Sequence, residues 1–139
     1  MRLAYFVPFV CLLAMSFGCQ SDKKYGPSRG EGNQGFIGAS KWKAWINAQP
    51  PGPRRLIVTG DVDVASTNAT PKLEFAGLDK SNPPGLTLRL SVERSGIGGP
   101  GVTRKPARYE SIEHTSVREI RIQYPNGKGE TIRDIPVVE

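Results

Sequence analysis

From residue 54 onward, apolar and polar positions alternate with a period of two, the spacing of a strand with one buried face. In the first run Leu56, Val58, Val62 and Val64 share a face with Gly60, and Arg55, Ile57, Thr59, Asp61 and Asp63 share the other. A glycine inside such a run predicts a bulge or bend. Residues 72–76 predict a short strand with Leu73 and Phe75 inward. Leu86, Leu88, Leu90 and Val92 then alternate with Thr87, Arg89, Ser91 and Glu93, the most regular strand pattern of the chain. Residues 102–112 are weaker, and Pro106 places them at a sheet edge or breaks them. Residues 117–124 put Ile120, Ile122 and Tyr124 on one face, and residues 131–138 form the last strand, with Pro136 again marking an edge. Turn residues separate the runs: Gly77, residues 81–85, the glycine-rich residues 95–101, and Pro125-Asn126-Gly127-Lys128-Gly129. Asn-Gly between two strand patterns is a strong hairpin signal.

Six or seven strands, regular turns and almost no helical periodicity predict an all-β fold, an antiparallel β-sandwich. In strand count and spacing it resembles an immunoglobulin or fibronectin-type sandwich, without the Cys-Trp-Cys marker. A small β-barrel is the alternative.

Two segments precede this domain. In residues 40–47, Trp42, Trp45 and Ile46 are spaced i, i+3, i+4, which predicts one or two helical turns with these side chains on one face, ended by Pro50-Pro51-Gly52-Pro53. The indoles either plug one end of the domain or form an exposed aromatic patch for a partner. Residues 20–40 are polar and glycine-rich and read as a flexible tether.

The first residues have another layout. Met1-Arg2 leads into an apolar run from Leu3 to Phe17, interrupted by Pro8 and closed by Ser16-Phe17-Gly18-Cys19. A run of this length is short of the roughly 20 residues a membrane span needs, and the layout is that of a cleaved export signal. With Cys19 directly after the small residue Gly18, the segment resembles the lipobox of bacterial lipoproteins. The resemblance covers residues 1–19. It implies a diacylglyceryl group, palmitate-like in chemistry, on the Cys19 thiol and a cut after Gly18. An ordinary signal peptide and an uncleaved anchor are the other readings. Two acyl chains hold a protein stably on a membrane where one does so only marginally. Gln20, where Asp favours inner-membrane retention in enterobacterial lipoproteins, points to the outer membrane. The expected organisation is a signal peptide over 1–18, a lipidated cysteine and tether over 19–40, and a β domain over 41–139.

Of 139 residues, removal of 18 leaves 121, enough for one domain. The two cysteines are Cys11 and Cys19, so the mature domain has neither a disulfide nor a thiol nucleophile. The chain carries +6. Loss of Arg2 leaves 18 basic against 13 acidic residues, or +5. That excess bears on solubility and loose association with anionic surfaces rather than on fold.

Candidate chemistry is sparse. His114, the only histidine, falls in a loop and reads first as a surface loop residue. Ser111 or Ser116 nearby would be the nucleophile of a His-dependent hydrolase, which no nucleophile elbow or triad spacing supports. With no cysteine in the domain and no second histidine, a metal would have only carboxylates to join His114. Asp61 and Asp63 lie about 7 Å apart on one strand face, a spacing that suits surface decoration and, less well, calcium. Residues 95–101 lack the Lys-Ser/Thr of a phosphate loop and read as a mobile turn. Asn68-Ala69-Thr70 matches a glycosylation sequon, an incidental match in a bacterial lipoprotein. Arg104, Lys105 and Arg108 form a basic cluster and Arg54-Arg55 another. With only Tyr109 nearby for stacking, they suit an anionic surface better than nucleic acid.

The expectation is a non-enzymatic, membrane-anchored envelope protein with a binding or assembly module and no cofactor or metal. Its possible interaction surface is Trp42, Trp45, Arg104, Lys105 and Arg108. Its partners are the membrane, through the anchor, and an envelope protein or anionic polymer. The alternatives are an accessory protein contacting anionic envelope polymers, and a hydrolase with an unrecognised site.

Overall fold

The computed structural model describes residues 35–139, so the export segment, Cys19 and most of the tether lie outside the described residues. The described chain is all-β, with eight strands and no helix: β1 (Phe36–Asn47), β2 (Arg55–Ser66), β3 (Ala69–Leu78), β4 (Gly85–Arg94), β5 (Pro100–Ser111), β6 (Glu119–Gln123), β7 (Gly129–Ile132) and β8 (Val137–Val138). They form two four-stranded sheets, in the orders β5-β2-β1-β8 and β3-β4-β6-β7.

One core joins the sheets. The first supplies Leu56, Val58, Val62 and Val64 of β2 with Trp42, Ala44 and Ile46 of β1. The second supplies Leu86, Leu88, Leu90 and Val92 of β4 with Ile120 and Ile122 of β6 and Leu73 of β3. The β2 and β4 faces are those the alternation predicts, and these side chains are almost wholly buried. Burying each Leu, Ile or Val contributes roughly 1.5–3 kcal/mol.

Several expectations are corrected. The pairing is mixed rather than purely antiparallel: β6 runs parallel to β4, and β8 runs parallel to β1. The domain starts within the expected tether, because residues 36–40 belong to β1. Residues 40–47 are strand, not helix, so Trp42 and Trp45 point to opposite faces. Phe75 leaves the core: it is 49% exposed on the edge strand β3, just before a register shift at Gly77. Residues 131–138 split between two sheets. Ile132 and Ile135 both pack on the core as the chain crosses from one sheet to the other. Residues 102–111 are strand without a break, Ile112 lies just beyond it, and β5 is a sheet edge, where Pro106 is tolerated.

Gly60 marks a bulge, but the bulge is in the partner strand. Ser40 pairs with Asp61 and Lys43 with Thr59, so Lys41 and Trp42 together oppose Gly60. Lys41 takes φ 56°, the left-handed conformation that bulges recruit. The Trp42 ring lies on the bare Cα of Gly60: a Cβ there would come 2.3 Å from Trp42 Cε3. Gly60→Ala is therefore expected to destabilise the domain by about 1–3 kcal/mol through overpacking. Urea denaturation monitored by tryptophan fluorescence checks this; an unchanged midpoint contradicts the contact.

Candidate functional site

The bulge turns Trp42 inward, where it is 9% exposed. Its Nε1–H donates to Tyr124 Oη at 2.8 Å, and the Tyr124 hydroxyl donates to Glu130 Oε2 at 2.9 Å. Burial and the Glu130 hydrogen bond push the Tyr124 phenol up to about 12, against a lowering by the Trp42 donor. Beyond the bulge β1 alternates regularly. Ala44 and Ile46 point inward, and Trp45 lies half-buried on the outer face, directly across from Ile57. Ile57 has outward parity yet is only 6% exposed, so the outer face carries a small apolar centre of its own.

β8 covers only the end of β1. Ile46 N–H donates to Pro136 O at 2.9 Å and Ala48 N–H to Val138 O at 2.8 Å. Successive residues of a strand direct their backbone groups to alternate sides, so Ala44 points its N–H and C=O to the same edge as Ile46 and Ala48. At Ala44 no strand lies alongside, because the chain before Pro136 has crossed from β7. The gap is a cleft of about 500 Å³ lined by Trp42, Lys43, Ala44, Trp45, Ile132, Asp134 and Pro136. Mostly apolar walls with a few polar groups are the usual make-up of a binding site. Lys43 and Asp134, at its rim, have no ion-pair partner among the described residues.

Both tryptophans singled out in the sequence thus line one cleft, from opposite faces of one strand. The basic cluster lies elsewhere and is engaged. On the outer face of the same sheet Arg104 Nε and Nη2 donate to the two carboxylate oxygens of Asp63, at 2.8 and 3.1 Å. Arg108 donates to Glu110 at 2.6 Å, and Glu110 also accepts from Arg55 at 3.1 Å. Lys105 donates to the carbonyl of Thr67 at 2.8 Å. Asp61 stands 3.8 Å from Lys41, so the aspartate pair is divided between two cations.

Ser111 does approach His114. Its Oγ lies 3.0 Å from Nδ1, and the Tyr109 hydroxyl lies 3.3 Å from the same nitrogen. The Ser111 oxygen also accepts the backbone N–H groups of Glu113 and His114, as in a Ser-centred turn. The imidazole stacks on Phe75 at 4.8 Å and 7°. His114 therefore covers the exposed Phe75 and closes the flank between β5 and β3. The adjoining depression, about 350 Å³, is lined by Arg55 and residues 110–113. Among the described residues no group of three or more His, Cys, Asp or Glu is placed to hold a metal.

A charged cluster missed in the sequence locks the turn between β3 and β4. Glu119 is buried and faces Arg121, Arg133 at 3.4 Å and Arg118 at 3.7 Å. Asp79 accepts the Ser81 hydroxyl and the N–H groups of Gly85 at 2.8 Å and Ser81 at 3.0 Å, and Arg118 and Arg121 stand within 3.5 Å. Those hydrogen bonds, the Ser81 hydroxyl first, hold the Asp79 carboxyl far below its ordinary value. Asp79 lies 42 residues before Arg121, with β4 and β5 between them, so no local pattern announces the cluster.

No family model matches the chain, and neither does any curated protein or solved structure.

The ionised form of Asp79 is favoured by folding. Its contribution is complete above the ordinary Asp range, near pH 3.9, and is lost as pH falls through and below it. Urea midpoints measured from pH 6 down to about 2 are therefore expected to fall more steeply for the parent than for Asp79→Asn; parallel curves contradict this.

Proposed function

We propose that this chain is a lipid-anchored protein of the bacterial cell envelope whose domain is a non-catalytic binding or assembly module, with the open edge of β1 as its binding surface. The two sheets and their shared core are read as a β-sandwich. The parallel β1–β8 and β4–β6 pairs set it apart from the antiparallel immunoglobulin and fibronectin pattern. Anchoring rests on Cys19 and its apolar leader.

The observation that carries the binding reading is the cleft beside Ala44. An edge with free backbone groups and apolar flanking pockets suits strand addition, in which an extended segment of a partner pairs with the edge and seats alternate side chains in pockets. Lys41 and Lys43 lie beside that edge and are exposed. They disfavour pairing with a second copy, which would set lysine against lysine, and favour a partner segment with acidic residues at alternate positions. Contact with anionic polymers through Arg104 and Arg108 is the weaker reading, because both guanidiniums already face carboxylates.

Two experiments test the proposal. For the anchor, Cys19→Ser is expected to move the protein from the membrane to the soluble fraction of the envelope; unchanged processing and membrane retention overturn it. For the edge, a photo-crosslinking residue at Lys43 is expected to give a discrete adduct with one envelope protein. Ala44→Pro removes an N–H that no strand uses and leaves the ladder to β2 intact. Ala44 also packs in the core, so Ala44→Val, which enlarges the same side chain but keeps the N–H, is the control. Ala44→Pro should cut the adduct by about tenfold and Ala44→Val much less. An adduct that survives Ala44→Pro, or no adduct, overturns the edge as the binding surface.

A further inference from the structure

Gly35 marks where the preceding chain joins the domain. Its carbonyl accepts the Ala65 N–H at 2.7 Å, and the Arg94 guanidinium lies against it. That places the entry at the end of the domain where β2 and β4 finish and the loops after them begin. Residues 95–99 link β4 to β5 at this end, and Ile97 at their centre is fully exposed (105%). Val102, 73% exposed, follows on β5, and Ile37, half exposed, lies at the same end of β1.

The loop is not a loose turn, as its glycines suggest. The short connection from β2 to β3 holds it from below. Asn68 Nδ2 donates to Gly96 O at 3.0 Å, Ser66 Oγ donates to Gly99 O at 3.3 Å, and Thr67 Oγ1 accepts the Gly99 N–H at 3.1 Å. A side chain on Gly98 would collide with Asn68, its Cβ 2.2 Å from Cγ. Five connections between two distant segments therefore hold an isoleucine out into solvent, if the backbone pairs Thr67 N–H to Gly99 O and Ser95 N–H to Asn68 O are counted with the side-chain bonds. Held out in this way, and with Val102 and Ile37 exposed at the same end, the side chain is presented as part of an apolar tip rather than as a lone surface residue.

Charge and chain length identify the partner. Arg94, Lys105 and Lys128 lie at this end without a carboxylate partner among the described residues. Of the carboxylates there, Asp63 is neutralised by Arg104, Glu93 stands near Lys72, and Glu130 accepts from the Tyr124 hydroxyl with no cation beside it among the described residues, which leaves a cationic excess. Sixteen positions separate Cys19 from Gly35. A glycine-rich chain of that length spans about 22 Å on average, against roughly 40 Å for the length of a twelve-residue strand. An acyl group on Cys19 would keep the Gly35 end near the bilayer and the other end, with Leu78 and Ile112, away from it.

We propose that the Gly35 end of the domain is a membrane-contact face, in which Ile97, supported by Val102 and Ile37, enters the headgroup region of an anionic bilayer while Arg94, Lys105 and Lys128 face its phosphates. Orientation by this face rests on the anchored reading of Cys19; the affinity of the face for lipid does not. One apolar residue and a few cations give weak, reversible contact, about 1 kcal/mol for each basic residue at the surface of an anionic leaflet. The face therefore orients a tethered domain and does not replace the anchor. In that orientation the open edge of β1 runs away from the membrane.

The test places an environment-sensitive fluorophore on Ile97→Cys in the full chain carrying Cys11→Ser and Cys19→Ser, so that the result does not depend on lipidation. A second chain carries the label on Gln49→Cys at the far end. Both are mixed with phosphatidylcholine vesicles containing about 30% phosphatidylglycerol, to which the apolar leader brings either chain. A blue shift and about a twofold rise at position 97, with none at position 49, is the expected result. Val102→Cys labelled in an Ile97→Asp chain should lose most of its response. Equal responses at 97 and 49, silence at 97, or a response at 97 to added envelope protein but not to vesicles overturns the proposal. Loss of membrane retention on Cys19→Ser in cells reports on the anchor alone, so the two failures are separable.

Discussion

The contact of the Trp42 indole with the bare Cα of Gly60 is the constraint on which the rest of the domain depends. Trp42 is the largest side chain in the core, and it reaches the core only because β1 carries an extra residue opposite Gly60. Remove the bulge and a one-residue slip sends every later β1 side chain to the wrong face. With it, Ala44 and Ile46 join Leu56 and Val58 inside, and Trp45 is left outside over Ile57. The indole N–H then fixes Tyr124, whose ring packs on Phe36 with centroids 5.4 Å apart and planes tilted by 41°. Through that chain of contacts the first strand of one sheet is tied to the hairpin of the other.

How far the sequence is readable follows from where the period of two survives. In β2, β4 and β6 it survives intact, and Leu56, Leu88 and Ile120 lie inside as the alternation predicts. In β1 the inward residues include Phe36, Ala39 and Trp42, each three apart, because register shifts follow Phe36 and Ser40. That spacing hides the period of two, so residues 36–40 are read with the polar, glycine-rich tether, and Trp45 on the opposite face from Trp42 and Ile46 completes the i, i+3, i+4 pattern of a helical turn. Phe75 has the parity of Leu73, but a register shift beyond it and the end of the sheet leave it on a flank, where the His114 imidazole stacks on it. The last segment is read as one strand because nothing local reports that Ile132 and Ile135 serve different sheets.

The candidate site is less legible still, for a different reason. The two tryptophans attract notice in the sequence, yet the cleft they share exists because β8 begins only at Val137, about ninety residues later. The basic cluster attracts equal notice, and tertiary structure supplies its carboxylates: Asp63 across the sheet for Arg104, and Glu110 beside Arg108. Exposed pairs of this kind add little stability. Their effect here is to leave Lys43 and the β1 edge as the more open chemistry of that sheet. The loop around Ile97 is likewise held by Ser66, Thr67 and Asn68, about thirty residues earlier.

Strand addition requires that the Ala44 amide be free in the isolated protein. Native-state hydrogen exchange measures this residue by residue. Ile46, bonded to Pro136, and Trp45, directed toward β2, are expected to be protected, and Ala44 between them to exchange much faster than either. Protection of Ala44 equal to that of Ile46 would mean that the edge is already covered, and would contradict the binding surface on which the functional reading stands.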